Sequence, residues 1–250
     1  MEILYAILMF ILGALLTSFY HLVADRLPKK ETLMGRSYCD YCKAQLKWID
    51  ILPILGYIVN RGKCRSCHKK ISICYPLFEL LGGLIFAFTY LYAGFSLELL
   101  VILVLYSVLF IESLSDMKYT IVIDRVWMVG TVVLIVIRII QGTWLTYLLS
   151  SSILFVSLFL IAYLASKIYH KEALGGGDVK LFVFIGWVLT ITQGFLSLFI
   201  ASILGLIYGI IKLKKKSQAF ALVPFIALGV VISYFYGDML IEAYLSLLGM

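Results

Sequence analysis

The sequence predicts an all-α polytopic membrane protein with about eight transmembrane helices and a small zinc-binding cytoplasmic module inserted after helix one. Of its 250 residues, 63% are hydrophobic, and long runs with few charges recur, as in helices that cross a bilayer. The net charge of +7 comes from Lys and Arg gathered between these runs, which is typical of cytoplasmic loops in membrane proteins. This distribution argues against nucleic acid as a partner.

The first apolar run, residues 3–23, predicts a permanent helix with its N-terminus outside. No Lys or Arg precedes the run, and the positive charges follow it, unlike the pattern of a cleavable signal peptide. We therefore expect residues 1–24 to form the first transmembrane helix.

Residues 25–74 form a polar segment that contains 11 Lys and Arg residues but only 4 Asp and Glu residues. This bias places the segment in the cytoplasm. At about 50 residues it can hold a small folded module, but not a large apolar core.

Residues 75–250 are the predicted membrane-embedded core. The inner loops are recognised by their charges, and both termini are expected outside. The span that begins at residue 181 is short for a bilayer, and Arg138, near an outer helix end, is expected to snorkel. The predicted spans are 76–92, 97–115, 126–140, 144–166, 181–192, 195–211 and 224–247, with inner loops at 116–125, 167–180 and around Lys212, Lys214, Lys215 and Lys216.

Two aspartates are predicted at the inner membrane face. Asp116 follows the third span, and Asp178 stands between Gly175, Gly176 and Gly177 and the sixth span. Two carboxylates brought close together cannot both ionise easily, so such a pair can offer a base and an acid to one water. That is the chemistry of aspartic proteases. The glycines would let another backbone approach Asp178.

Other interpretations of these residues are open at this point. Each aspartate can cap a helix or lie in a solvated loop, and Asp124 in the same inner loop can be the true partner. Asp238 is expected to be solvated. Lys180 can bind a carboxylate or a lipid phosphate, or simply snorkel. A membrane transporter that handles ions or protons with the acid pair, or a zinc-module scaffold, is the alternative function.

The cytoplasmic segment also contains two CxxC motifs. Cysteine pairs at this spacing can each hold one side of a tetrahedral Zn²⁺, and a small module with little core gains stability from a metal. A redox dithiol is the main alternative, whereas a structural disulfide is disfavoured in a reducing compartment. His68 can replace a ligand, and Cys74 is expected to be a small buried residue. The four expected ligands are Cys39, Cys42, Cys64 and Cys67.

Further motifs flank the aspartates and the cysteines in a fixed order. They are Asp25-Arg26-Leu27-Pro28, Arg36-Ser37-Tyr38-Cys39, Trp48-Ile49-Asp50-Ile51-Leu52-Pro53, Arg61-Gly62-Lys63-Cys64, Tyr75-Pro76-Leu77-Phe78-Glu79-Leu80, Asp116-Met117-Lys118 and Gly175-Gly176-Gly177-Asp178-Val179-Lys180-Leu181.

In this order and spacing, the motifs resemble the bacterial type IV prepilin peptidases, the leader peptidase/N-methyltransferase group of the GxGD intramembrane aspartyl proteases. The likeness covers most of the chain. Compact loops and a composition rich in Lys, Ile and Tyr resemble a Gram-positive competence-type member.

The resemblance implies that Asp116 and Asp178 are the catalytic dyad of an endopeptidase. Its substrates would be prepilins or pseudopilins, which lose their basic leader at the cytoplasmic face of the bacterial plasma membrane. It also implies methylation of the new N-terminus with S-adenosylmethionine as donor, a structural Zn²⁺ on the four cysteines, and contact with membrane lipid. Glu79 falls on a matching position in the second helix, where it would support the active site or methylation.

The sequence departs from the family pattern in three places. The family often has Ile-Pro-Asp after the first catalytic aspartate, and here the residues are Val122, Ile123 and Asp124. Losing that proline removes a rigid turn, although Asp124 stays in register. Asp40 stands where a knuckle proline is common, and His68 where glycine is common. Neither change removes a metal ligand.

Overall fold

The computed structural model of the chain describes residues 1–170, 175–212 and 221–247, and the regular secondary structure of this part is α-helical apart from two isolated β-bridges. The predicted inner-loop residues Lys214, Lys215 and Lys216 lie outside it. The helices are α1 (Glu2–Arg26), α2 (Trp48–Ile51), α3 (Leu55–Val59), α4 (Cys74–Ala93), α5 (Leu97–Tyr119), α6 (Asp124–Ile140), α7 (Trp144–Tyr169), α8 (Gly176–Ile185), α9 (Ile191–Lys212) and α10 (Val223–Leu247).

Six of the described helices are long and apolar enough to cross a membrane: α1, α4, α5, α7, α9 and α10. The prediction of about eight spans is therefore not confirmed. Helix α6 has 17 residues and α8 only 10. At 1.5 Å per residue, α8 is about 15 Å long, roughly half of the hydrocarbon core.

The chain divides into two compact units, Met1–Leu103 and Val104–Met250, with the boundary inside α5. In the first unit, α1 and α4 pack closely because small residues face each other. A Cβ on Gly13 would lie 2.6 Å from the carbonyl oxygen of Gly82, and one on Gly83 would lie 2.8 Å from the ring of Phe10. Small residues of this kind bring membrane helices together, because lipid offers no hydrophobic force that does so.

In the second unit, α8 is buried against α6 and α7. Leu181, Phe184 and Ile185 are fully buried on it. Backbone carbonyls at a buried helix end need donors, and side chains supply them here. Ser150 Oγ donates to the carbonyl of Leu189 at 2.7 Å, and Ser151 Oγ donates to that of Val183 at 2.8 Å.

Arg138 donates to the same buried turn. Its Nε donates to the carbonyl oxygen of Trp187 at 3.2 Å, and its Nη2 to that of Val188 at 3.3 Å. The side chain is only 3% exposed, and its guanidinium lies 3.8 Å from the ring centre of Tyr147. The expectation that Arg138 snorkels was wrong, because the carbonyls after the short helix α8 give a buried cation better partners than headgroups would.

Candidate active site

Asp116 lies in the last turn of α5, so the expectation that it follows the helix was wrong by a few residues. The side chain is 7% exposed. Its Oδ2 accepts the N–H of Val223 at 2.9 Å, at the residue where α10 begins. A helical backbone on one side and the start of a second helix on the other thus fix the orientation of this carboxyl.

Asp178 lies in the first turn of α8 rather than before it. The residue is half-buried, and its N–H donates to the carbonyl of Gly175 at 3.0 Å. Gly175 occupies the N-cap position and α8 has no side-chain capping bond. The interpretation of Asp178 as a helix cap is therefore not supported.

The second unit brings these two carboxyls together from α5 and α8. The two carboxyls are close enough to interact electrostatically, although the residues are far apart in sequence. Each is carried by a helix rather than by a loop, which favours a fixed geometry between them. Such a pair shares its protons as one system.

The three glycines before Asp178 have different surroundings. A Cβ on Gly175 would lie 2.8 Å from Oδ2 of Asp178, and one on Gly177 would lie 2.8 Å from Cβ of Val122. A Cβ on Gly176 would meet nothing within 4 Å, and Gly176 is exposed. Two glycines thus make room for residues of the chain itself, and only Gly176 leaves open space beside the aspartate.

Asp124 interacts with two side chains at the start of α6. Lys180 Nζ lies 3.1 Å from its Oδ2, and Trp127 Nε1 donates to its Oδ1 at 3.1 Å. The side chains of Lys180 and Asp124 are about half exposed, at 51% and 48%. Lys180 thus binds a carboxylate, which is one of the interpretations that its sequence position left open. Asp238 is exposed, as expected, and accepts a hydrogen bond from Gln193 at 2.9 Å.

Glu112 is a carboxyl that sequence reasoning missed. It lies one helical turn before Asp116 on α5 and is fully buried. Its Oε2 accepts the N–H of Ile123 at 2.7 Å. The sequence did contain a signal for Glu112: an acid four residues before Asp116 lies on the same face of an apolar helix, where an ionisable group indicates a function.

The four cysteines of the CxxC motifs form one cluster in the first unit. Their Sγ atoms all lie within 4.8 Å of one another, with 3.9 Å between Cys39 and Cys67 and 4.0 Å between Cys42 and Cys64. Tetrahedral Zn²⁺ with Zn–S bonds of about 2.3 Å requires sulfur separations of about 3.8 Å. The donor set and its spacing therefore fit Zn²⁺.

The two cysteine loops share one backbone form. The N–H of Cys39 donates to the carbonyl of Ala44, and the N–H of Cys64 to that of Lys69. Lys43 and His68 follow the second cysteine of each loop, at φ 57° and 56°. This left-handed region explains why glycine suits the position of His68.

Two further residues of types that can bind a metal follow the second CxxC motif, His68 and Cys74. His68 is not part of the cluster in the described residues. Cys74 is exposed and also lies outside the cluster, so the expectation that it is buried was wrong. Within the cluster, hydrogen bonds from the N–H groups of Cys67 and Ser66 lower the pKa of the Cys64 thiol to about 7, whereas burial and the neighbouring cysteines raise the pKa of Cys67 to about 11. Of these two, Cys64 more readily forms the thiolate that a metal requires.

Glu79 ties α4 to the segment between α2 and α3. The residue is 8% exposed, and its Oε2 accepts the N–H of Ile54 at 2.7 Å. Ile54 has φ 62° and ψ −53°, a strained conformation for a β-branched residue. Such a conformation needs support from its surroundings, and the bond to Glu79 is one such support.

A cavity of about 420 Å³ lies in the first unit. Its wall includes the carboxyls of Asp25 and Glu79 and the rings of Tyr38 and Tyr75. This volume is in the range of small-molecule sites.

Two family models and several curated proteins match the chain. Residues 11–93 match the Bacterial Peptidase A24 N-terminal domain, and residues 103–210 match the Type IV leader peptidase family. The Prepilin leader peptidase/N-methyltransferase of Bacillus subtilis (strain 168) is 32% identical over 96% of this chain and 98% of its own length. Its namesake in Myxococcus xanthus (strain DK1622) is 32% identical over 86% of this chain and 65% of its own.

The protein of the same name in Vibrio cholerae is 32% identical over 76% of this chain and 79% of its own length. No solved structure matches the chain. The two model matches together span most of the chain, and the Bacillus relative matches it almost from end to end. The chain therefore belongs to the type IV prepilin leader peptidase/N-methyltransferase family.

Proposed function

We propose that the chain is an intramembrane aspartyl endopeptidase that removes the basic leader from type IV prepilins or pseudopilins. The observation that carries this proposal is the approach of two carboxyls, Asp116 and Asp178, on two helices of one unit. The family supports the substrate class, because its curated members are named prepilin leader peptidases.

The proposed chemistry needs one proton on the pair. The ionised carboxyl takes a proton from a water, whose oxygen attacks the carbonyl carbon of the scissile peptide. The protonated carboxyl polarises that carbonyl in the tetrahedral intermediate. When the C–N bond breaks, the amine nitrogen takes a proton from the dyad, which leaves a leader carboxylate and a new N-terminal amine. The N–H of Val223 keeps Asp116 oriented during these steps.

Gly176 is the point where the substrate backbone would pass. A peptide bond inside a helix is shielded, so the substrate must be locally extended at the scissile bond. Open space beside Gly176 suits such a segment, whereas Gly175 and Gly177 are already in contact with the chain. Lys180 would serve this site by pairing with Asp124 beside α8 rather than by binding substrate.

Methylation of the new N-terminus is the second proposed activity, with S-adenosylmethionine as donor. The cavity of the first unit is our candidate for the donor site, because its wall offers carboxyls and tyrosine rings to the cationic sulfonium. The wall also offers cationic side chains to the carboxylate of the donor: Arg26, Lys63, Arg65, Lys69 and Lys70. Asp25, Glu79, Tyr38 and Tyr75 would hold the donor, which supplies an electrophilic methyl group when it is bound.

The metal is proposed to be a structural Zn²⁺. Cys39, Cys42, Cys64 and Cys67 would hold it as four thiolates, which leaves no open position for a substrate. Its role would be to stabilise a basic cytoplasmic module that can also press against anionic lipid headgroups. We place the protein in the bacterial plasma membrane, with the active site towards the cytoplasm.

Reconstitution of the purified chain in lipid vesicles tests the function. The substrate is a peptide with a basic leader followed by an apolar segment, and the readouts are a gel shift and the mass of the new N-terminus. We expect leader removal without added cofactor, and a further mass increment of one methyl group when S-adenosylmethionine is present. A folded, inserted chain that leaves the peptide intact would contradict the proposal. Cleavage without methylation would leave a peptidase only.

A further inference from the structure

Glu112 is a buried carboxyl that the proposed cleavage steps do not use. Its side chain has no exposed surface, and it lies one turn before Asp116 on α5. Its Oε2 accepts the N–H of Ile123 at 2.7 Å, and its Oε1 has no hydrogen-bond partner in the part of the chain that the structure describes. A side chain so enclosed cannot touch a substrate, so any role in cleavage must act through its neighbours.

The first neighbour is the short segment that joins α5 to α6. Ile123 is buried and is the N-cap of α6, with an extended backbone and no side-chain capping bond. One turn of α5 fixes this segment twice. Glu112 accepts the N–H of Ile123, and Ser115 Oγ donates to the carbonyl of Ile121 at 2.7 Å. The buried N–H of Ile123 and the partly buried carbonyl of Ile121 thus each have a partner.

The same segment is in contact with the glycine turn. Val122 lies between the two fixed residues, and it fills the space where a Cβ on Gly177 would stand. Gly177 immediately precedes Asp178. The position of Val122 therefore influences where the turn, and with it the carboxyl of Asp178, lies relative to Asp116.

We propose that Glu112 is a positioning residue for leader cleavage. By accepting the N–H of Ile123 it holds Val122 against Gly177, and so keeps Asp178 in place beside Asp116. This inference rests on the proposed function of the dyad. The required property of Glu112 is a hydrogen-bond acceptor, because only its oxygen meets the Ile123 N–H. Without the acceptor, a buried N–H is left unpaired and the segment shifts to find a partner.

The first test compares two substitutions of Glu112 in the vesicle assay. Glu112→Gln keeps an acceptor oxygen, and its kcat is expected within about threefold of wild type. Glu112→Leu removes the acceptor, and its kcat is expected to fall about tenfold to hundredfold with little change in KM, because the reacting groups are misplaced. Its melting temperature is expected to change little, because the unpaired N–H of Ile123 lowers stability while the removal of a buried carboxyl raises it.

The second test removes the donor as well as the acceptor. Proline at position 123 has no N–H, and the native φ of −89° is within about 25° of the value that proline prefers. We expect Glu112→Leu/Ile123→Pro to recover most of the kcat that Glu112→Leu loses. Glu242→Leu, at an exposed glutamate of α10, is the matched control and should cleave like wild type.

Three results would overturn the inference. They are full activity in Glu112→Leu, equal losses in Glu112→Gln and Glu112→Leu, and a double variant no better than Glu112→Leu. A wild-type chain that does not cleave at all would instead refute the proposed function, and this inference with it. Wild-type activity in the same assay therefore separates the two failures.

Discussion

At the scale of single residues, the acid pair depends on which neighbours have no side chain. A side chain at Gly177 would displace Val122, whereas one at Gly175 would displace the carboxyl of Asp178 itself. Gly176 has open space instead, in the first turn of α8. Gly175 and Gly177 therefore serve the packing of the chain, whereas Gly176 is the glycine that can serve the substrate.

We predict opposite effects on stability from alanine at the last two glycines. Gly176→Ala should leave the melting temperature unchanged or raise it, because alanine favours the helix by up to about 1 kcal/mol. Its cleavage rate should nevertheless fall about tenfold or more, because the methyl group occupies the space assigned to the substrate backbone. Gly177→Ala should lower both, because its Cβ would meet Val122.

Thermal unfolding and prepilin cleavage, measured on the same preparations, check this pair. If Gly176→Ala cleaves prepilin at the wild-type rate, the substrate backbone does not pass beside Gly176. If Gly177→Ala is as stable as wild type, Val122 can move aside at little cost, and the contact does not fix the glycine turn.

At the scale of helices and loops, apolar runs were enough to predict that the long helices exist, but not where they end. Asp116 and Asp178 were expected outside helices and lie within them. In the last turn of α5, the carboxyl of Asp116 accepts the N–H of Val223, where α10 begins. Such a bond joins residues far apart in sequence, so a local pattern cannot predict it.

Two buried glutamates illustrate the same limit. Glu79 and Glu112 each accept the N–H of an isoleucine at 2.7 Å, Ile54 and Ile123. From the sequence, Glu79 had only an open role by resemblance, and Glu112 was missed. The missing proline of the Val122-Ile123-Asp124 segment was visible in the sequence, but the bond that the free N–H makes was not. The cysteine cluster was predictable because the ligands come from two short, regular motifs.

Loss of the metal should unfold the cytoplasmic module. Cys39→Ser and Cys64→Ser should each lower the bound zinc well below the expected content of about one ion per chain. They should also make residues 25–74 sensitive to protease, because a module with little core depends on its metal. Cys74→Ser is the control, since Cys74 lies outside the cluster. Metal analysis and limited proteolysis measure both effects, and metal-free wild-type protein would refute the zinc site.

At the scale of the whole molecule, two independent divisions of the chain agree. The compact units Met1–Leu103 and Val104–Met250 correspond to the matched models at residues 11–93 and 103–210. The cysteine cluster and the cavity lie in the first unit, and the acid pair lies in the second. This separation is consistent with two activities on one chain.

The proposed orientation predicts which sites a membrane-impermeant thiol reagent reaches in intact cells. Phe95, in the turn between α4 and α5, is 66% exposed, and Met117, beside the acid pair, is 63% exposed. In a Cys74→Ser background, Phe95→Cys should react in intact cells. Met117→Cys should react above background only after lysis, because the positive loops hold that face in the cytoplasm. The reverse pattern would contradict the orientation.

The central claim is that Asp116 and Asp178 together cut the prepilin leader. The most direct test is leader cleavage by Asp116→Asn and Asp178→Asn in membranes, followed by gel shift. Asparagine at position 116 retains an oxygen that can accept the Val223 N–H, so insertion and stability should persist. Asp238→Asn is the matched control, because Asp238 is an exposed aspartate that accepts a hydrogen bond from Gln193.

We predict that each dyad variant loses cleavage by at least about a thousandfold, while Asp238→Asn keeps wild-type activity. Each loss should be nearly complete on its own, because neither carboxyl can supply both the base and the acid. Leader removal by both Asp116→Asn and Asp178→Asn at rates within about tenfold of wild type would contradict the account.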